Sequence, residues 1–179
     1  MANRLAIREL QTRLAERLQI ARTQGVAPSW LAVEASGEKY LFPMTQAGEI
    51  FPWVATQGVP YTQGWFLGVA NLRGGLFGVV DLASYVSGRS SGLKTEFALK
   101  ESRLISLNSA LDINCALLID RLAGLRNQEA FSDYSEKAFD APVYFGNQYI
   151  DQSGQSWQEI NLQLLAQQPH FLTIGVERT

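Results

Sequence analysis

The chain carries few groups suited to catalysis. Its 179 residues include one histidine, His170, and one cysteine, Cys115. A Ser-His-Asp mechanism would require His170 as its base, yet no Gly-x-Ser-x-Gly elbow occurs. One histidine and one cysteine also exclude the common zinc sites. The aspartates at 112, 120, 133, 140 and 151 are scattered. Asp151-Gln152-Ser153-Gly154 matches a fragment of a calcium loop but lacks the spaced carboxylates and closing glutamate, so it reads as a turn. No phosphate-binding loop or Gly-x-Gly-x-x-Gly run is present. Cys115 falls in the apolar run Ile113 to Ile119 and reads as a core residue. The expectation is a protein that is not an enzyme, with no catalytic residues, metal or cofactor.

What remains is recognition chemistry. Arg73 is the only charged residue between Gly64 and Val80. It lies between two apolar runs, Phe66 to Leu72 and Leu76 to Val80, beside the pair Gly74-Gly75. A Gly-Gly pair between such runs predicts a tight hairpin, because primed turns need positive φ at their central residues. Gly68 and Gly78 interrupt the runs and predict a bulge or bend. Asp81 is placed to cap a short helix, Leu82 to Val86. Of the four tryptophans, Trp30, Trp65 and Trp157 read as barrel core. Trp53, after Pro52 in a loop, is the candidate for an exposed partner-docking anchor.

The rest of the chain supplies short strands. Trp30 to Glu34 and Lys39 to Pro43 form a predicted hairpin. Met44 to Trp53 begins as a turn and ends with Glu49-Ile50-Phe51, and a loop follows to Gly64. Ser87 to Lys100 is polar and reads as an exposed loop around Gly88 to Gly92. Ser102 to Asn108 and Ile113 to Ile119 are strands, and Leu122 to Arg126 extends the sheet. Asn127 to Pro142 reads as a loop. Tyr144 to Asp151 and Ser156 to Asn161 are strands, Asn161 to Gln168 is a helix ended by Pro169, and Phe171 to Val176 is a last apolar run. Residues 3–23 read as an amphipathic helix with Ile7, Leu10, Leu14, Leu18 and Ala21 on one face. That helix has two readings, packing on its own domain or docking a partner.

Hydrophobic residues make up 46% of the chain and charged ones 18%, enough apolar material for a core and against disorder. The net charge of −2 and absence of a basic patch argue against nucleic-acid binding. No apolar run reaches the roughly 18 residues of a membrane span, and the N-terminus is no signal peptide, so a cytoplasmic location without direct membrane insertion is expected. Short, glycine-rich strands argue an all-β barrel class.

Leu67-Gly68-Val69-Ala70-Asn71-Leu72-Arg73-Gly74, followed by Val79-Val80-Asp81-Leu82, resembles the signature of the CheW-like domain. Gly78 stands where that family often has proline. Ala47-Gly48-Glu49-Ile50 and Ile119-Asp120-Arg121-Leu122 resemble two further family elements. The resemblance covers Trp30 to about Val176. It implies two small five-stranded SH3-like barrels on a shared core, in a domain of residues 27–179 preceded by a helical extension of residues 1–26. It also implies a non-enzymatic coupling protein that joins the cytoplasmic tip of a methyl-accepting chemoreceptor to a CheA-type histidine kinase, recruited to membrane-associated receptor arrays. The N-terminal helix and divergent C-terminal half are similar to the adaptors of type IV pilus (twitching motility) systems. By position, Ala47, Glu49, Asn71 and Arg73 would border the receptor groove, and Glu49 and Arg73 are expected to meet. Competing readings are a small-ligand-binding β-barrel sensor and an enzyme using carboxylate chemistry.

Overall fold

The computed structural model describes residues 30–90, 92 and 94–176. The predicted helix over 3–23 lies outside the described residues. Among these residues, eleven strands form two sheets. In chain order they are β1 Trp30–Ala35, β2 Glu38–Pro43, β3 Ala47–Pro52, β4 Phe66–Leu72, β5 Gly75–Asp81, β6 Arg103–Leu107, β7 Cys115–Ile119, β8 Arg121–Arg126, β9 Phe131–Ser135, β10 Phe145–Asp151 and β11 Ser156–Ile160. Among the described residues four short α-helices accompany them: α1 Leu82–Ser87, α2 Glu96–Glu101, α3 Leu162–Ala166 and α4 Pro169–Leu172.

One sheet runs β8-β1-β2-β11-β10-β9 and the other β3-β6-β7-β5-β4. The first therefore has six strands where the family resemblance implied five. The chain from β3 to β7 builds the second sheet entirely, inserted between β2 and β8 of the first. The crossing falls at Asp120. Its backbone N–H donates to Glu34 O, and its Oδ2 accepts from Ser36 N at 2.7 Å. Lys94 pairs with the same carboxylate.

Period-two alternation explains the layering. In β7, Cys115, Leu117 and Ile119 face one cluster while Ala116 and Leu118 face another. β1 divides likewise, Leu31, Val33 and Ala35 on one side, Trp30 and Ala32 on the other. Strands buried on both faces read as unbroken apolar runs. The largest cluster spans both sheets; the two smaller ones lie each on the far side of a single sheet. Cys115 is buried in the shared core, and burial pushes its thiol up to about 12. That matches a packing role rather than a reactive one.

Both sheets curl until distant strands meet. In the first, β1 and β9 are four places apart, yet the rings of Trp30 and Phe131 lie 5.8 Å apart. The second curls in the same way, as the site below shows.

Several local expectations need correction. The β4–β5 turn is centred on Arg73-Gly74 (φ 51° and 83°), one residue earlier than the Gly-Gly pair, and Gly75 already pairs with Leu72. Ser87 to Lys100 is not all loop: α2 forms there, capped by Thr95 Oγ1 accepting from Ala98 N. None of its residues is buried, so it left no apolar period in the sequence. Asn127 to Pro142 contains β9, an edge strand whose only partly buried residue is Phe131. With one partner strand and open faces, it had no alternation to display. Asp81 precedes α1 as expected, but its Oδ2 accepts from the Ser84 hydroxyl at 2.8 Å rather than from a backbone N–H.

Candidate functional site

The β4–β5 hairpin is built around Asn71-Leu72-Arg73-Gly74. Asn71 Oδ1 accepts from Gly74 N at 2.9 Å, which holds the primed turn and presents Arg73 outward. Upstream, Gly68 (φ 122°) sits at the shift in register between Phe66 and Gly68. There Val69 exchanges both backbone bonds with Gln57, at 2.7 and 2.9 Å. A Cβ at Gly68 would stand 2.2 Å from Gln57 O, so only glycine fits.

Glu49 is delivered by a second irregularity. β3 shifts register against β6 between Ala47 and Ile50. Ser106 Oγ fills the gap, accepting from Glu49 N at 2.8 Å and donating to Glu49 O at 3.3 Å. A Cβ on Gly48 would collide with that hydroxyl at 2.5 Å. The result turns Glu49 toward the β4–β5 turn.

Arg73 Nη1 and Glu49 Oε2 meet at 2.5 Å, with 76% and 55% of their side chains exposed. The guanidinium also lies 5.9 Å from the centre of the Phe51 ring. β3 and β4 are not hydrogen-bonded neighbours but opposite margins of the five-stranded sheet. The pair thus bridges the two edges of a curled sheet. Beside it is an open pocket of about 420 Å³ lined by Phe51, Leu72, Phe77, Leu107 and Ile113, with Asn108 and Asn114 adding polar groups.

Of the sequence-predicted site residues, Glu49 and Arg73 come together, and Asn71 supports them from the turn. Ala47 is buried in the shared core and presents no surface. Trp53 lies in the loop after β3 as expected, but it is half-buried against the smaller cluster of the five-stranded sheet rather than fully exposed. Phe51 and Ser106 were missed. Ser106 carries a signal, being the one polar residue in Leu104-Ile105-Ser106-Leu107.

The side chains first considered for catalysis make ring contacts or close a turn. His170 stacks on Tyr85 and lies edge-on to Trp65, both at 5.6 Å. Burial pushes the Tyr85 hydroxyl up to about 12. Asp151 closes the β10–β11 turn, as its sequence predicts: Oδ1 accepts from Ser153 N and Gln155 N, and Oδ2 from Trp157 Nε1 at 2.9 Å. The Trp157 bond first, then those backbone bonds, holds its carboxyl below the usual range. Among the described residues no group of three or more His, Cys, Asp or Glu could hold a metal ion, and no helix is long and apolar enough to cross a membrane.

The model of the CheW-like domain matches residues 29–169. Protein PilI of Pseudomonas aeruginosa is 26% identical over 160 residues, covering 86% of this chain and 84% of that protein. The crystal structure of the scaffolding protein TtCheW from Thermoanaerobacter tengcongensis superposes with a TM-score of 0.63 at 18% identity, covering 80% of this chain and 95% of that one. The matched model takes in both sheets and the Glu49–Arg73 edge, and the chain belongs to the CheW-like domain family, whose members are scaffold adaptors of chemotaxis-type signalling.

Proposed function

We propose that this protein is the coupling protein of a type IV pilus chemosensory system, joining a chemoreceptor's cytoplasmic tip to a CheA-type histidine kinase at receptor arrays. One observation carries the reading: the exposed Glu49–Arg73 pair, set on two bulged or turned edges over an apolar-lined pocket. An exposed pair of this kind is worth about 0–1 kcal/mol, so folding alone gives little reason to hold two sheet edges in this geometry. A rigid fork of donors and a carboxylate side by side suits a polar helical tip, with Phe51 and Phe77 supplying apolar contact. The likeness to PilI supports the pilus assignment, and membership of a scaffold family supports assembly rather than catalysis.

The test is a swap. Glu49→Arg and Arg73→Glu each weaken binding to receptor tips by about tenfold or more, and the double variant recovers part of the loss, with a coupling of about 0.5–3 kcal/mol. Both single variants binding receptor as tightly as the parent would end the assignment of this edge. Incorporation of labelled phosphate into the chain from a kinase would end the adaptor reading.

A further inference from the structure

The outer strand β9 of the six-stranded sheet and the loop that follows it carry two exposed aromatic side chains. Tyr134 on β9 is 57% exposed, and Phe139 just beyond it is fully exposed. Tyr134 is continuous with a partly buried aromatic run that ends on the buried Trp30. Its ring lies 6.1 Å from Tyr149, which lies 5.1 Å from Phe131 and 5.0 Å from Trp30. Trp30 is the first residue of β1, and its ring lies 5.8 Å from Phe131 at the start of β9, so the first described residue stands beside this edge. The edge is also acidic: residues 127–142 hold Glu129, Asp133, Glu136 and Asp140 against Lys137 alone.

Residues 1–29 have the opposite character, five arginines from Arg4 to Arg22 against Glu9 and Glu16. Their apolar positions fall on one helical face, as noted from the sequence. We infer that the amphipathic segment 3–23 docks in cis on the acidic, aromatic edge formed by β9 and residues 136–143. Its leucines cover Tyr134 and Phe139, and its arginines face Asp133, Glu136 and Asp140. Length permits this. Residues 24–29 span at most about 20 Å, and Tyr134 is two ring contacts from Trp30. A helix over 3–23 is about 30 Å long, enough to run the length of the edge. A strand would be the other way to cover an open sheet edge, but charges such as Asp133 oppose strand addition and favour a basic helix. The short tether favours the chain's own segment over a second copy, because it holds the segment near at millimolar effective concentration.

Amide hydrogen exchange of the full chain tests the assignment against a synthetic peptide of residues 1–29. Amides from Ile7 to Ala21 should exchange about tenfold or more slowly in the full chain. Tyr134→Ser with Phe139→Ser should return them toward the peptide's rate, as should Arg8→Glu with Arg17→Glu, which lies outside the β domain. Adding Asp133→Lys and Glu136→Lys to the latter should restore protection. Exchange at the peptide's rate in the parent chain overturns the inference. So does protection that survives both variants, which would put the segment elsewhere, or protection that appears only with a doubled mass in solution, which would make the occupant a second copy.

Discussion

Arg73 holds a backbone conformation that arginine seldom adopts. Its φ of 51° falls in the left-handed region, which costs a side-chain-bearing residue about 1–2 kcal/mol relative to glycine. The exposed pair with Glu49 returns at most about 1 kcal/mol of that. Stability therefore favours Gly or Asn at this position, and a cost retained at a surface site points to use of the side chain. Arg73→Gly is expected to leave stability unchanged or raise it by up to about 1 kcal/mol, measured by denaturant midpoint, while weakening receptor binding. Asp151 shows the opposite case, a charge that serves the fold. Its carboxyl is held below the ordinary 3.8, so its contribution is complete above about pH 4 and is lost as pH falls through the lower folded-state value. Asp151→Asn should cost about 1.5–3 kcal/mol at pH 7, since an amide cannot accept from Ser153, Gln155 and Trp157 together. It should also flatten the acid limb of a stability–pH profile below pH 4.

At the scale of elements, the site depends on irregular strands. The β4 bulge at Gly68 and the β3 shift beside Gly48 set the register from which Arg73 and Glu49 meet. Gly68→Ala should cost about 3 kcal/mol or more, because the added Cβ meets backbone that cannot yield and φ is wrong for alanine. The measurement is thermal or denaturant unfolding, and a loss below about 1 kcal/mol would mean that the Gln57 segment moves away freely. Ser106 has the matching role on β3. Ser106→Ala keeps the strand but leaves Glu49 N without its acceptor, a loss of about 1 kcal/mol. It should also reduce receptor binding while leaving both side chains of the ion pair in place.

For the whole molecule, the decisive feature is one core shared by two sheets. Leu117 on β7 is fully buried in it, and it takes residues from β1, β2, β6, α1 and α3 as well. Leu117→Ala should cost about 2–5 kcal/mol. Because that cluster joins both sheets, calorimetry and tryptophan fluorescence should report a single coincident transition for parent and variant. Two separated transitions would show that each barrel folds alone.

The local elements were legible in the sequence because their causes are local. Alternating or unbroken apolar runs dictate strands within a few residues, and Gly74-Gly75 signals the β4–β5 hairpin although its turn centres one residue earlier. Cys115, Trp65 and Trp157 read as core for the same reason, and the family signature lies within one hairpin. Of the elements left unread, α2 and β9 bury almost nothing and so imprint no period, and α4 is a single turn, too short to show one. Tertiary structure alone decided which sheet each strand joins. β8 crosses to β1, β11 lies parallel to β2 and β7 parallel to β5, pairings between segments far apart in the chain. The family resemblance implied that Glu49 and Arg73 meet, but only tertiary structure decided that they do so across the two margins of one curled sheet, as Trp30 and Phe131 meet from strands four places apart in the other. No interval along the sequence encodes such a meeting. It follows from strands that must bury both faces, and a flat sheet of these small dimensions cannot do that without curling.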